Sequence, residues 1–134
     1  MKPCPLLDRI DIQIQVDPVS YHQLEQGDEE ESSIHIKKRV NDARKIQLDR
    51  YNRKNIFFNS QLDARQMSVY CNLDQMGKDL LKKAFTYLKL SARAYNRILK
   101  VSRTIADLDA QENITVTHIA EEVQYRSLDR KFWG

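Results

Sequence analysis

The sequence predicts an all-α chain, a bundle of about five helices preceded by one orphan β-strand. Three observations carry this. Apolar residues recur at helical spacing through most of the chain after residue 33; only three glycines and three prolines interrupt 134 residues; and one short early segment alternates apolar and polar side chains. With 41% hydrophobic and 31% charged residues, the 15.8 kDa chain has material for a single modest core and is too small for a large enzyme. A mean hydropathy of -0.65 and the absence of any signal-peptide or transmembrane stretch point to a soluble chain with no membrane partner. A formal charge of +3 is too small to argue nucleic-acid binding by itself, although it would not repel an anion.

Ile10, Ile12, Ile14 and Val16 alternate with Asp11, Gln13 and Gln15, which predicts a half-buried strand over about 9–16. Pro18 stops it. Residues 17–32 hold Gly27 and the acidic run Asp28 to Glu31 without an apolar period, and read as a linker. Ser32 or Ser33 then caps a helix to about Arg53, with Ile36, Val40, Ala43, Ile46 or Gln47, and Tyr51 on one face and a strongly basic remainder. Ser60 with Asp63 resembles a capping box for a short helix to about Cys71 that buries Leu62, Met67 and Tyr70.

Asp74 starts a helix to about Leu88, with Leu80, Leu81, Ala84, Phe85 and Leu88 inside and Gly77 as a tolerated weak point. The helix from Ala92 to about Leu108 is the most regular. Its apolar stripe is Ala94, Ile98, Val101, Ile105 and Leu108, and Arg93, Arg97, Lys100, Thr104 and Asp107 form a separate polar stripe expected to face outward. Thr117 is expected to cap a last helix to about Leu128, leaving Arg130 to Trp133 as a tail. A lone strand has no partner for its backbone groups, so the strand over 9–16 is expected to belong to a sheet outside the chain, and the helical part, 33–134, to be the autonomous domain.

Chemistry is sparse. Cys4 and Cys71 lie far apart with no CxxC spacing, which fits two reduced thiols in a cytoplasmic protein. His22, His35 and His118 are scattered without ligand spacing, so they read as surface residues and no metal site is assigned. Arg93 is the exception. It sits in the first turn of its helix, where the dipole makes an exposed cation unfavourable by roughly 0.3 to 1 kcal/mol. Free N–H groups, dipole and guanidinium there all point toward one phosphate-sized anion.

Three segments in order, Pro5-Leu6-Leu7-Asp8-Arg9-Ile10-Asp11, then Leu90-Ser91-Ala92-Arg93-Ala94-Tyr95 with Arg103-Thr104-Ile105-Ala106-Asp107-Leu108, then Tyr125-Arg126-Ser127-Leu128-Asp129-Arg130, resemble the C-terminal region of magnesium-chelatase-like AAA+ ATPases, in the YifB/ComM group. The resemblance implies a helical lid over nucleotide bound by a preceding α/β core, with residues 1–16 a remnant of that core. It implies rings of neighbouring subunits, a hexamer by expectation, using ATP and Mg2+ in the longer parent, with DNA as the parent's substrate. Arg9 matches the arginine finger that reaches a neighbour's γ-phosphate, and Arg93 matches the second-sensor arginine that contacts the phosphates of its own subunit. Spreading charge on a dissociating phosphoryl group suits both roles.

The departures bound the claim. Gly27, Gly77 and Gly134 cannot build a Walker A loop at any spacing, so the chain by itself is not an ATPase and is not expected to hold ATP tightly. Pro3-Cys4-Pro5 stands where the family usually has Ser-Gly-Pro, so the resemblance implies the identity of Arg9 and leaves its conformation open. Two other readings stay open. One is a nucleic-acid-binding module using Lys37, Lys38, Arg39, Arg44, Lys45, Arg50, Arg53 and Lys54, although Asp42 and Asp49 interrupt these charges. The other is a protein-interaction bundle anchored by Phe57, Phe58, Phe132 and Trp133. Arg97, Arg103, Arg126 and Arg130 read as surface or packing residues.

Overall fold

The computed structural model describes residue 6, residues 9–27 and residues 30–133, with side chains to residue 126. Its helices are α1 (Tyr21–Gln26), α2 (Ser33–Arg50), α3 (Ala64–Tyr70), α4 (Gln75–Tyr87), α5 (Ala92–Leu108) and α6 (Val116–Trp133), with a 3-10 turn at Asn59–Gln61 between α2 and α3. The all-α expectation holds. The strand expected over 9–16 does not form among the described residues, because nothing lies beside the segment to pair with it, and Ile10, Ile12, Ile14 and Val16 stay exposed. The expected linker is interrupted by α1, which Ser20 and Gln23 close with a reciprocal capping box and Gly27 ends in the left-handed conformation (φ 49°).

Local chemistry sets the remaining starts. Ser32 caps α2 by accepting from the His35 N–H, Asp63 caps α3 through Gln66, Asp74 caps α4, and Ser91 caps α5 through Ala94 N at 3.1 Å. Gly77 is more than tolerated: it donates to Asp74 Oδ1 at 2.7 Å, and a Cβ there would lie 3.1 Å from that same oxygen. The last helix begins at Val116 instead of after Thr117. Thr115 N donates to His118 Nδ1 at 3.0 Å, so the other ring nitrogen carries the proton and donates to Asp109 Oδ2 at 3.1 Å. His118 is thus buried and occupied in closing the α5–α6 loop, a correction to its reading as a surface residue. The residues expected as a tail, 130–133, continue α6.

Helix α5 is the centre of the bundle, packed against α2, α3, α6 and the 3-10 turn, while α4 packs on α6. The apolar core gathers Tyr51, Ile56, Leu62, Met67, Leu81, Ile98, Leu99, Ile114 and Ile119, with Tyr51 and Tyr70 edge to face at 5.0 Å. Cys71 lies inside it, where burial pushes its thiol up to about 11 and leaves it unreactive. Cys4 lies outside the described residues.

Within this core sits a polar network. Arg50 donates to both oxygens of Asp107, one at 3.0 Å, and Arg103 reaches the same carboxylate at 3.2 Å. Asn59 Nδ2 donates to Asp107 Oδ2 and to Thr104 Oγ1, each at 2.9 Å, and its Oδ1 accepts from the Tyr51 hydroxyl at 2.6 Å. Gln47 Oε1 accepts from Asn59 N at 3.2 Å, so α2, the 3-10 turn and α5 are joined through one asparagine. Arg103 also donates to the carbonyls of Glu112 (2.7 Å) and Gln111 (2.8 Å), clamping the turn after α5. Thr104 and Asp107 therefore leave the outward stripe assigned to them: Asp107 is 1% exposed. Burial alone would lower the pKa of Arg50, but its hydrogen bonds to Asp107 and Tyr51 raise it; Arg103, sharing the carboxylate from the deeper side, is lowered by burial.

A second buried pair lies on α6, where Arg126 Nε donates to Glu122 Oε1 at 3.2 Å. Burial pushes the Glu122 carboxyl up to about 7, against the opposing charge of Arg126, and the nearby carboxylate of Asp11 adds to the rise.

Three outcomes follow for stability. Asp107→Ala leaves two guanidinium groups without their shared partner and is expected to cost about 3 to 5 kcal/mol in urea unfolding. Ala110, which follows α5 with φ 52°, holds a left-handed conformation that glycine adopts freely, so Ala110→Gly should raise stability by about 0.5 to 1 kcal/mol. Glu122 binds its proton more tightly folded than unfolded. Its contribution is therefore complete below about pH 4.5 and lost as the pH rises through 7. Urea titrations between those values should show wild-type stability falling with pH, and Glu122→Gln should flatten that slope.

Candidate functional site

The first turn of α5 carries Ala92, Arg93 and Ala94. Ser91 satisfies the Ala94 N–H, while Ala92 and Arg93 lie among the positions whose N–H groups have no intrahelical partner. Ala94 is buried at 1% exposure and fixes the turn, whereas Arg93 points outward and makes no hydrogen bond or ion pair with another described residue. That contrasts with Arg50, Arg103 and Arg126, which are all paired with carboxylates. The expectation that Arg93 projects from the core matches its position.

Arg9 is exposed. Its carbonyl accepts from Arg97 Nη1 at 2.6 Å, and the same guanidinium pairs with the Asp11 carboxylate. Arg97 lies one helical turn after Arg93 on α5, so the Arg9 segment is brought to the side of α5 that bears Arg93. Leu7 and Asp8 of the matched segment lie outside the described residues. Sequence reasoning read Arg97 as a surface or packing residue; only the fold reveals that it reaches back across 86 positions to Asp11.

On the neighbouring face of α5, a groove of about 420 Å³ opens between α4 and α5, lined by Leu73, Lys78, Leu81, Lys82, Phe85, Ala92, Tyr95 and Asn96. Phe85 and Tyr95 meet edge to face at 6.1 Å along it. Neither Arg9 nor Arg93 lines it. A smaller groove shares Leu73, Lys78, Tyr95 and Asn96 and reaches Cys71, whose raised thiol makes no nucleophile. The first turn of α5 offers a cation and N–H groups to an anion.

The alternative surfaces are less available than their sequences imply. Of the eight basic residues along and after α2, Arg50 is committed to Asp107, Lys38 pairs with Asp42 at 2.8 Å, and Arg39 pairs with Glu31 at 2.6 Å. Arg44 lies 4.6 Å over the Phe58 ring, and Lys54 lies over Tyr70. Phe58 is thus partly covered, and Phe57 beside it is more exposed; Phe132 and Trp133 have no described side chains.

Comparison with known proteins identifies a family and relatives of longer chain. The family described as magnesium chelatase, subunit ChlI C-terminal, matches residues 30–126. The chain is 40% identical over 127 residues to the competence protein ComM of Haemophilus influenzae and 37% identical over 130 residues to the YifB protein of Escherichia coli K12. A YifB protein of Salmonella typhimurium is 35% identical over 127 residues. Each alignment covers 94% of this chain and 24% of the relative, so the chain spans about a quarter of the length of the relatives it matches. With the family match covering α2 to most of α6, the chain belongs to the magnesium chelatase ChlI C-terminal domain family.

Proposed function

We propose that this domain is the lid and sensor of a magnesium-chelatase-like AAA+ ATPase. Arg93 contacts the phosphates of its own subunit's nucleotide, and Arg9 serves as the arginine finger of a neighbouring site in a ring. The observation that carries the reading is the exposed Arg93 in the first turn of α5, without a described partner, where an unpaired cation is electrostatically disfavoured unless an anion completes the site.

The chemistry is transition-state stabilisation. As the γ-phosphoryl group leaves, charge spreads over its oxygens, and a planar, permanently charged guanidinium offers two directed donors to it. ATP and Mg2+ belong to the parent's α/β core in this reading; the domain contributes cations and orientation. Action on DNA by the parent rests on the resemblance to the YifB/ComM group alone.

Arg93→Ala in the full-length ATPase should lower ATP turnover by about 10²-fold. The melting transition of this chain should move by no more than about 0.5 kcal/mol, as for an exposed substitution. Arg9→Ala should lower turnover by about 10³-fold or more, and activity should return in mixed rings where another subunit supplies the finger. Turnover unchanged in Arg93→Ala would remove it from the site, and failure of rescue in mixed rings would assign Arg9 a local role.

A further inference from the structure

We propose that Arg97 is the positioning residue that ties the Arg9 segment to the helix carrying Arg93, so that one guanidinium sets the finger and the sensor relative to each other. This rests on the roles assigned to Arg9 and Arg93 above. The geometry has three parts. Arg97 stands one turn from Arg93 on a helix whose core side is locked by Ala94, Ile98 and Leu99, so its backbone has little freedom. Its Nη1 donates to a backbone acceptor, the Arg9 carbonyl at 2.6 Å, and to a side-chain acceptor two residues on, the Asp11 carboxylate. Two acceptors flanking Ile10 fix the direction of the chain as well as its position.

Hydrogen bonding between the segment and the bundle is concentrated in one side chain. Residues 10–20 carry no helix or strand, and both described hydrogen bonds from the segment to the bundle come from Arg97. The buried Glu122 of α6 is committed to Arg126 at 3.2 Å. Without Arg97 the carboxylate of Asp11 would lose its described ion-pair partner and the Arg9 carbonyl its donor, and the segment would be released from α5. Arg97 is 27% exposed at its side chain, so its loss opens no cavity in the core.

The test has two arms. In this chain, backbone order parameters of residues 10–16 measured by NMR should fall from the rigid range to below about 0.6 in both Arg97→Ala and Asp11→Asn, with α5 unchanged. In the full-length ATPase, Arg97→Ala should lower kcat by roughly ten- to hundredfold with little change in KM for ATP, and Arg97→Lys should recover part of it. Because Arg97 acts through Arg9, the double variant with Arg9→Ala should be no slower than Arg9→Ala alone, whereas the double with Arg93→Ala should be slower than either single. Order parameters unchanged in both single variants would overturn the tether. Wild-type turnover in Arg97→Ala beside a slow Arg9→Ala would overturn the coupling alone, and wild-type turnover in Arg9→Ala would overturn the finger reading and the coupling with it.

Discussion

The carboxylate of Asp107 is the point on which the bundle depends. It draws Arg50 from the end of α2, Arg103 from its own helix and Asn59 from the 3-10 turn onto one pair of oxygens. A charged group at 1% exposure is costly to bury unless its lone pairs are filled, and here they are filled by groups that are themselves hydrogen-bonded. The cluster therefore specifies an arrangement more than it adds stability: an apolar replacement of the same shape could pack as tightly, but it would not fix which residue of α2 meets which residue of α5.

That fixation matters because α5 is both the core helix and the bearer of the candidate site. Arg93 lies 14 positions before Asp107, about 21 Å along a continuous helix, so anchoring one end orients the other. The same helix uses its first turn for an unpaired cation, its middle for Ile98 and Leu99, and its last turns for the buried network and the clamp on Gln111 and Glu112. Arg103 gives the Gln111 and Glu112 carbonyls of the turn after α5 their donors. Ala110 accepts a left-handed backbone there, and Gln111 N bonds back to the Ala106 carbonyl at 2.8 Å.

Much of the fold was legible because its signals are local. Ser32, Asp74 and Ser91 cap the helices that follow them, each through an N–H three residues on, and such a cap needs no knowledge of the rest of the chain. The short helix α3 was expected from Ser60 with Asp63 as its box partner, whereas Asp63 is itself the cap and Gln66 the partner, because residues 59–61 form the 3-10 turn. The last start was misplaced at Thr117 because the device used there, a histidine accepting from Thr115 N, is not among the usual capping side chains. Outward placement of Arg93 was also legible from its phase on α5. The fates of Thr104 and Asp107 were not. A polar residue off the apolar stripe is ordinarily solvated, and nothing near Asp107 in sequence announces that Arg50, 57 positions away, will meet it. The one available signal was their place in a recognised segment, Arg103 to Leu108, whose physical role the resemblance did not supply.

By itself, then, the sequence determined where α2, α4 and α5 begin and that α5 offers an arginine at its first turn, because capping and helical phase act over a few residues. Tertiary structure decided what those helices bury. Ile36 and Val40 share a stripe with Ala43 and Gln47, yet the first half of α2 stays exposed and only the second half meets α5. The alternating segment 9–16 has a strand's pattern without a strand's partner, and is instead fastened by a single guanidinium from α5. Pairing, burial and charge compensation are properties of groups brought together from distant positions, and only the packed chain assigns them.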